Sequence, residues 1–197
     1  MSDPQYVVRK FRADAARLYV GGTWYGPSLG GFTHDPGVQW RAIEGDGITT
    51  EMAGDQRPTG FNTHLRTRMK DMTAEMLSFL MPGSTSDGSA GSDGGNAFFP
   101  PRARRFFTEA DLIRDVRLVY RTHDPDTGTD GWDAIIYPLM RPENSPLSGE
   151  DSNEAMHDLD WKAILLKSQS RDDCPYFEVE NYNHDAFDIE NYVTYES

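Results

Sequence analysis

Residues 18–47 have the sequence LYVGGTWYGPSLGGFTHDPGVQWRAIEGDG. Aromatic and β-branched residues in this stretch form short runs, and glycines interrupt the runs every few residues. This pattern is typical of strands joined by turns. The stretch contains no phosphate-binding loop, no metal-ligand spacing and no nucleophile elbow. It therefore favours a β-rich fold over a nucleotide-binding or hydrolase fold.

Composition narrows the class of protein further. A length of 197 residues suits one ordinary domain, and we expect a single domain over 1–197. The net charge is −13, with 32 acidic against 19 basic residues, which argues against a general nucleic-acid binder. The single cysteine, Cys174, excludes an intrachain disulfide and a multi-cysteine metal site. We see no apolar core of a signal peptide and no apolar run long enough to span a membrane.

Hydrophobic patterning along the chain predicts strands and one short helix. Thr73 suits a helix N-cap, and Met76, Leu77 and Leu80 after it form one apolar stripe. The predicted strands span residues 16–26, 38–43, 61–72, 116–122, 132–139 and 158–168. Because consecutive strands are separated by turn signals, we expect antiparallel sheets that form a sandwich or barrel.

Four segments outside the predicted strands are predicted to be an arm, two loops and a helical turn. Residues 1–14 are predicted to be an N-terminal arm, and 44–60 a long loop. Residues 83–101 are predicted to be a flexible loop, because 83–95 contain only Gly, Ser, Asp, Thr and Ala. Thr108 to Ile113 suits one helical turn, with Thr108 and Asp111 in capping-box spacing.

The acidic C-terminal segment, residues 172–197, contains no Lys or Arg. Recurrent Phe, Val, Ile and Tyr residues inside it indicate that one of its faces is buried. The segment also contains an internal echo, in which Phe177–Tyr182 is repeated at Phe187–Tyr192. The short spacing of the echo predicts the two strands of a hairpin.

Two groups of residues have competing chemical interpretations. Residues 124–133 partly resemble a calcium loop, but the twelfth position is Tyr137 where a bidentate Glu is needed, so a plain hairpin turn is favoured. Arg102, Arg104 and Arg105 lie between Phe98–Phe99 and Phe106–Phe107, a mixture that also occurs in single-strand nucleic-acid binders. In so acidic a chain we favour pairing of these arginines with acidic loops of a neighbouring copy.

The five histidines are far apart in sequence, and none has the spacing of a metal pair. His34 with Asp35, and His184 with Asp185, are interpreted as solvated loop dyads. We therefore predict no catalytic residues, no cofactor and no metal, and expect that the protein is not an enzyme.

The order of these motifs resembles that of the tail tube proteins, the major tail proteins of long-tailed phages and related tailed viruses. The resemblance covers roughly residues 15–180. Its motifs are, in chain order, Tyr19-Val20-Gly21, Ile43-Glu44-Gly45-Asp46-Gly47, Gly60 to Leu80 with Thr73, Glu75 and Leu77, Asp115 to Val119, Trp132 to Pro138, Trp161 to Leu166 and Pro175 to Glu178. The Gly/Ser/Asp loop and the long acidic C-terminal segment depart from the family pattern.

The resemblance implies a tail-tube β-sandwich or barrel that acts by polymerising. Six copies would form a ring whose sheets join across subunits, and stacked rings would form the tube through which viral DNA is ejected. The partners would be further copies of the chain and the tail terminator, tape measure and tail tip proteins. The protein would be located in the virion tail after assembly in the host cytoplasm, and DNA would pass through without specific binding.

This hypothesis assigns roles to two groups of residues. Candidate subunit or ring contacts are Arg102, Arg104, Arg105, Phe98 and Phe99, and candidate lumen or ring-loop acids are Glu44, Asp46, Glu51 and Asp55. Acids suit a lumen because they repel phosphates. The alternative is another β-rich head–tail or baseplate component, or a carbohydrate-binding module that uses Trp24, Tyr25 and Trp40 as a sugar platform.

Overall fold

Antiparallel pairing of hairpins forms the sheets of this protein. The computed structural model describes residues 11–12, 16–25, 28–42, 56–69, 85–87, 97–99, 108–124, 128–143, 147–148, 156–171 and 173–194. Its strands are β1 (Phe11–Arg12), β2 (Arg17–Val20), β3 (Thr23–Trp24), β4 (Ser28–Asp35), β5 (Val38–Ala42), β6 (Gln56–Phe61), β7 (His64–Met69), β8 (Thr85–Asp87), β9 (Ala97–Phe99), β10 (Ile113–Asp124), β11 (Thr129–Pro142), β12 (Leu147–Ser148), β13 (Met156–Ala163) and β14 (Phe177–Val179).

The main sheet runs in the order β3-β2-β10-β11-β13-β7-β4. Strands β1, β12 and β14 pair with β10, β13 and β11, and β5–β6 and β8–β9 form two small separate ladders. Every ladder is antiparallel, which confirms the predicted all-β class. The short helix predicted after Thr73 lies outside the described residues.

The main sheet is covered on both faces where β10 and β11 pair. One face carries the larger core, which includes Leu18, Leu118, Ile135, Tyr137 and Trp161. The other carries a smaller core, in which Val119, Ala134 and Ile136 of the hairpin contact Tyr182 and Ile189 of the C-terminal segment. Alternate residues of the same two strands thus enter different cores, as the two-residue period of a strand requires.

Glycines alter the predicted strand boundaries near the N-terminus. The strand predicted over 16–26 is divided into β2 and β3 by Gly21 and Gly22, which both have positive φ (55° and 83°), as a two-residue hairpin turn requires. Gly30 and Gly31, interpreted as turn residues, lie instead within β4, where the register shifts between Ser28 and Phe32. Strand β6 occupies the end of the predicted 44–60 loop.

The central hairpin was predicted correctly, and its strands are longer than expected. Strand β10 extends to Ile113 and β11 to Pro142. The register of this ladder passes over Asp115 and Pro138, between the pairs Arg114–Leu139 and Val116–Tyr137, and Asp115 has a φ of 53°. A proline has no N–H to donate, so it suits a position where the opposite strand departs from regular geometry.

The predicted helical turn after Thr108 is confirmed as a 3₁₀ turn, Glu109–Asp111. The Thr108 N–H donates to the Asp111 carboxylate at 2.9 Å. The hairpin predicted from the internal echo is wrong, because Phe177–Val179 pairs with β11 whereas Ile189–Asn191 is a second 3₁₀ turn.

The segment predicted as a flexible loop, 83–101, contains two strands that the sequence did not indicate. Residues of β8 pair with β9 from Thr85 opposite Phe99 to Asp87 opposite Ala97. The flexibility of the rest of this segment stays a prediction.

Gly37 links the edge strand β4 to the β5–β6 hairpin and provides a test of this connection. Its φ is +54°, and a Cβ there would overlap the carbonyl group of Asn62. We expect Gly37→Ala to lower the free energy of unfolding by about 2 kcal/mol or more, because strain and overlap add. The matched control is Gly60→Ala, whose Cβ would make an ordinary 3.5 Å contact with Gln39. Urea denaturation measures both, and equal stabilities of the two variants would contradict this connection geometry.

Candidate functional site

The structure describes two of the predicted contact residues and tests none of their assigned roles. Phe98 and Phe99 lie on strand β9. The other candidates lie outside the described residues: Arg102, Arg104, Arg105, Glu44, Asp46, Glu51 and Asp55. Their assignments stay predictions.

The calcium-like stretch is tied to the neighbouring strand by ion pairs. The Asp130 carboxylate contacts His123 at 2.9 Å and accepts a hydrogen bond from Arg121. These hydrogen bonds, with His123 first, lower the pKa of Asp130 below its ordinary value. Within the described ranges, no cluster of His, Cys, Asp and Glu could hold a metal ion.

His34 and His184, which the sequence suggested to be solvated, are half-buried. The His34 ring contacts the Tyr137 hydroxyl at 2.8 Å and meets Tyr176 edge-on at 4.7 Å. His184 packs on Tyr19, with ring centroids 4.5 Å apart. Both histidines belong to half-buried aromatic clusters, whereas Asp185 is exposed. The aromatic partners are distant in sequence, so the neighbouring residues did not indicate these contacts.

The proposed sugar platform of three aromatic residues is not formed. Tyr25 is buried, and its N–H donates to the Leu18 carbonyl at 3.0 Å. Trp24 and Trp40 are exposed, at 53% and 62%. Trp24 lies on the main sheet and Trp40 on the β5–β6 ladder. Because Tyr25 is buried, it adds no exposed ring to either of them.

A cleft of about 460 Å³ lies where the C-terminal segment meets the main sheet. The sheet supplies residues from β2, β10 and β11, and the C-terminal segment supplies residues 181–184. The lining residues are Arg17, Tyr19, Val119, Gly131, Trp132, Asn181, Tyr182, Asn183 and His184. Such a mixture of rings, amides and one guanidinium can bind a small molecule by stacking and hydrogen bonds.

Backbone hydrogen bonds hold the wall of this cleft in place. The Tyr182 N–H donates to the Trp132 carbonyl at 2.7 Å, and the Asn181 N–H donates to the Asp133 carboxylate at 2.9 Å. Asn181 has a φ of 53°, a conformation that Asn tolerates better than most residues. The sequence 181–184 is thereby turned toward the sheet.

A buried ion pair contacts Tyr182, one of the residues that line the cleft. The Arg117 guanidinium donates to both oxygens of Asp115, at 2.6 and 2.5 Å, and to the Tyr182 hydroxyl at 3.0 Å. Its charge lies 4.8 Å from the centre of the Phe187 ring. Only 7% of the Arg117 side chain and 11% of the Asp115 side chain is exposed. One cation therefore joins the central hairpin to the C-terminal segment.

The same contacts set the protonation of these groups. Burial alone would lower the pKa of Arg117, but hydrogen bonds with Asp115 and Tyr182 outweigh it and raise that pKa above its ordinary value. Burial raises the pKa of the Tyr182 phenol, and Arg117 opposes this in part. Tyr182 is therefore a neutral hydroxyl that accepts from Arg117 and contacts His184 at 3.2 Å.

A second polar cluster lies between β7 and β13, away from the cleft. Asp160 contacts His64 at 2.7 Å and accepts from Arg66 at 3.1 Å. Burial acts to raise the pKa of Asp160, but the two hydrogen bonds outweigh it, and the pKa lies below its ordinary value. This cluster aligns two neighbouring strands, since β7 and β13 pair directly at these positions.

No protein-family model matches this chain, and no curated protein matches it. Within the described part of the chain, no helix is long and apolar enough to cross a membrane.

The buried pair makes a prediction about stability. Asp115→Asn keeps a side chain that tolerates positive φ but leaves the Arg117 guanidinium without a counter-charge, so we expect a loss of about 3 kcal/mol of unfolding free energy. The control is Asp158→Asn, which removes the exposed pair with Arg68 and costs less than about 1 kcal/mol.

Adding Arg117→Met to Asp115→Asn should recover part of that loss, because the unpaired charge is then removed. Urea denaturation of the single and double variants measures these differences. If Asp115→Asn were no more destabilising than Asp158→Asn, the pair would not hold the C-terminal segment in place.

Proposed function

We propose that this protein is the structural subunit of a viral tail tube, which polymerises as stacked hexameric rings to form the conduit for DNA ejection. The proposal combines the order of motifs along the sequence with an antiparallel all-β fold. Its partners would be other copies of itself and the tail terminator, tape measure and tail tip proteins.

The observation that carries the proposal is the edge strand β4. This eight-residue strand ends the main sheet and pairs with β7 on one side. Within the described residues no strand pairs with its other side. An open edge presents N–H and C=O groups that can pair with a strand of another molecule.

The opposite end of the sheet supplies a different surface. It is formed by β3, which has two residues and exposes Trp24. A head-to-tail contact needs two different surfaces, and it closes into a ring when its rotation allows. Contact between the β4 edge of one subunit and the β3 end of the next would meet this requirement.

Charge fits a conduit for DNA. A net charge of −13 repels phosphates, and each Lys or Arg contact with DNA would add affinity that slows its passage. The acids Glu44, Asp46, Glu51 and Asp55 are the proposed lumen or ring-loop residues. The arginines 102, 104 and 105 are proposed to face acids of neighbouring subunits.

The alternative is another head–tail or baseplate component that binds without polymerising. Exposed Trp40 on the β5–β6 hairpin would suit a partner surface. The two proposals differ in outcome, because only a tube subunit forms rings or tubes of one component.

Assembly of edge variants tests the proposal. Thr33 is exposed on β4, and Thr33→Lys places a charge on the proposed joint. We expect the purified protein to form rings or tubes at high concentration or with a tail nucleus. We expect Thr33→Lys to raise the concentration required by about tenfold or more, because each 1.4 kcal/mol changes an equilibrium tenfold. Negative-stain electron microscopy and sedimentation measure both results.

The matched control is Ala110→Lys, which adds the same charge at an exposed position of the Glu109–Asp111 turn. It should assemble like the unchanged protein. A protein that stays monomeric at all concentrations and with tail partners would overturn the tube proposal. Normal assembly of Thr33→Lys would overturn the role of β4 alone.

A further inference from the structure

The cleft between the C-terminal segment and the main sheet lies over strands that are already paired. Strand β2 has β3 and β10 on its two sides, and β11 pairs with β10 along its length. The cleft therefore offers no open strand edge from β2 or β10 to a peptide backbone. A ligand there must be recognised by side chains.

Arg17 gives the cleft a positive charge, although the chain as a whole has a net charge of −13. Described arginines with carboxylate partners are Arg66, Arg68, Arg117, Arg121 and Arg141. Arg17 has no such partner within the described ranges, and its guanidinium lies 5.4 Å from the centre of the Trp132 ring. None of the described residues that line the cleft is acidic. A guanidinium presents a planar set of donors that matches a carboxylate.

Aromatic rings form the apolar part of the cleft. Tyr19 and His184 pack on each other at 4.5 Å, and Trp132 is 39% exposed at the sheet side. Ring faces of this kind pack against flat, weakly polar surfaces such as the C–H face of a sugar ring. They therefore suit a ligand body that is cyclic and carries few charges.

Asn183 adds directed hydrogen bonding. Its side-chain oxygen accepts from the Asp185 N–H at 3.1 Å, which fixes the amide and leaves its NH₂ group for other acceptors. Amide donors of this type bind hydroxyl oxygens. Guanidinium, rings and amide together match a carboxylate, a ring face and hydroxyl groups in one ligand.

We propose that this cleft binds an acidic sugar, such as a uronic acid unit of a polysaccharide. The carboxylate would pair with Arg17, the sugar ring would pack on Trp132 and Tyr19, and a hydroxyl would accept from Asn183. A volume of about 460 Å³ is that of a small-molecule site. Trp24, which lies opposite Tyr19 in the β2–β3 ladder, and Trp40 are not among the described residues that line the cleft, and the proposed binding does not depend on polymerisation.

Two other ligand classes fit the cleft less well. A nucleotide carries several phosphate charges, whereas the described lining supplies one guanidinium in a chain of net charge −13. An acidic peptide would bring main-chain donors and acceptors that the paired strands beneath the cleft do not satisfy. A nucleotide and an acidic peptide are therefore included as probes in the binding experiment.

Isothermal titration calorimetry of the unassembled full chain tests the proposal. The probes are a glucuronic acid oligosaccharide, a glucose oligosaccharide of the same length, ADP and a Glu-Tyr peptide. We expect binding of the glucuronic acid probe, with about tenfold or greater loss in Arg17→Gln and in Trp132→Ala, since charged hydrogen bonds and ring packing each supply that much.

Matched controls separate the cleft from general effects. Arg171→Gln removes the same charge from an exposed position elsewhere, and Trp40→Ala removes an exposed ring from the β5–β6 hairpin. Both should bind the probe like the unchanged protein. Circular dichroism confirms that each variant is folded.

Three results would overturn the proposal: no binding of the glucuronic acid probe at millimolar concentration, equal binding of the glucose probe, or tighter binding of ADP or the peptide. Equal affinity of Arg17→Gln and Arg171→Gln would overturn the assigned carboxylate contact.

Discussion

Burial of one antiparallel hairpin on both faces is the constraint on which the rest of the structure depends. Strands β10 and β11 place alternate residues in two cores, so elements from both ends of the chain must cover them. Arg117 lies in the smaller core, where a charge without a partner would be costly. Its hydrogen bonds to Asp115 and Tyr182 remove that cost and fix the C-terminal segment, which in turn forms one wall of the cleft.

Features determined by local pattern could be predicted from the sequence. The alternation of Val116, Leu118 and Tyr120, followed by a turn before Trp132, was sufficient to predict the central hairpin. The capped turn after Thr108 and the buried face of the acidic C-terminal segment also followed from residue types at fixed spacing. In each case the pattern that indicates the structure is formed by residues close together in sequence.

Features determined by long-range contacts could not be predicted. Gly30 and Gly31 suggested a turn, but they lie within β4 at a register shift, and the flanking Ser28 and Phe32 both pair with β7. The similar sequences that end at Tyr182 and Tyr192 adopt different structures, because only the first pairs with β11, whereas the second packs on the hairpin as a 3₁₀ turn. The cleft joins Arg17, Trp132 and His184 from three distant parts of the chain, so no motif spacing indicates it. The three residues meet only because β2, β11 and the C-terminal segment pack together in the folded chain.

In the described part of the chain, the central hairpin is paired and covered, whereas β4 has a strand partner on one side, and the proposed assembly uses its other side. Hydrogen–deuterium exchange before and after assembly tests this claim most directly. We expect amides of residues 28–35 to gain protection in the assembled form, while those of 113–124 and 129–142 exchange alike in both forms, because these two strands already pair with each other in the single chain. If residues 28–35 of assembled particles exchanged as in the free subunit, β4 would not be a joint between subunits.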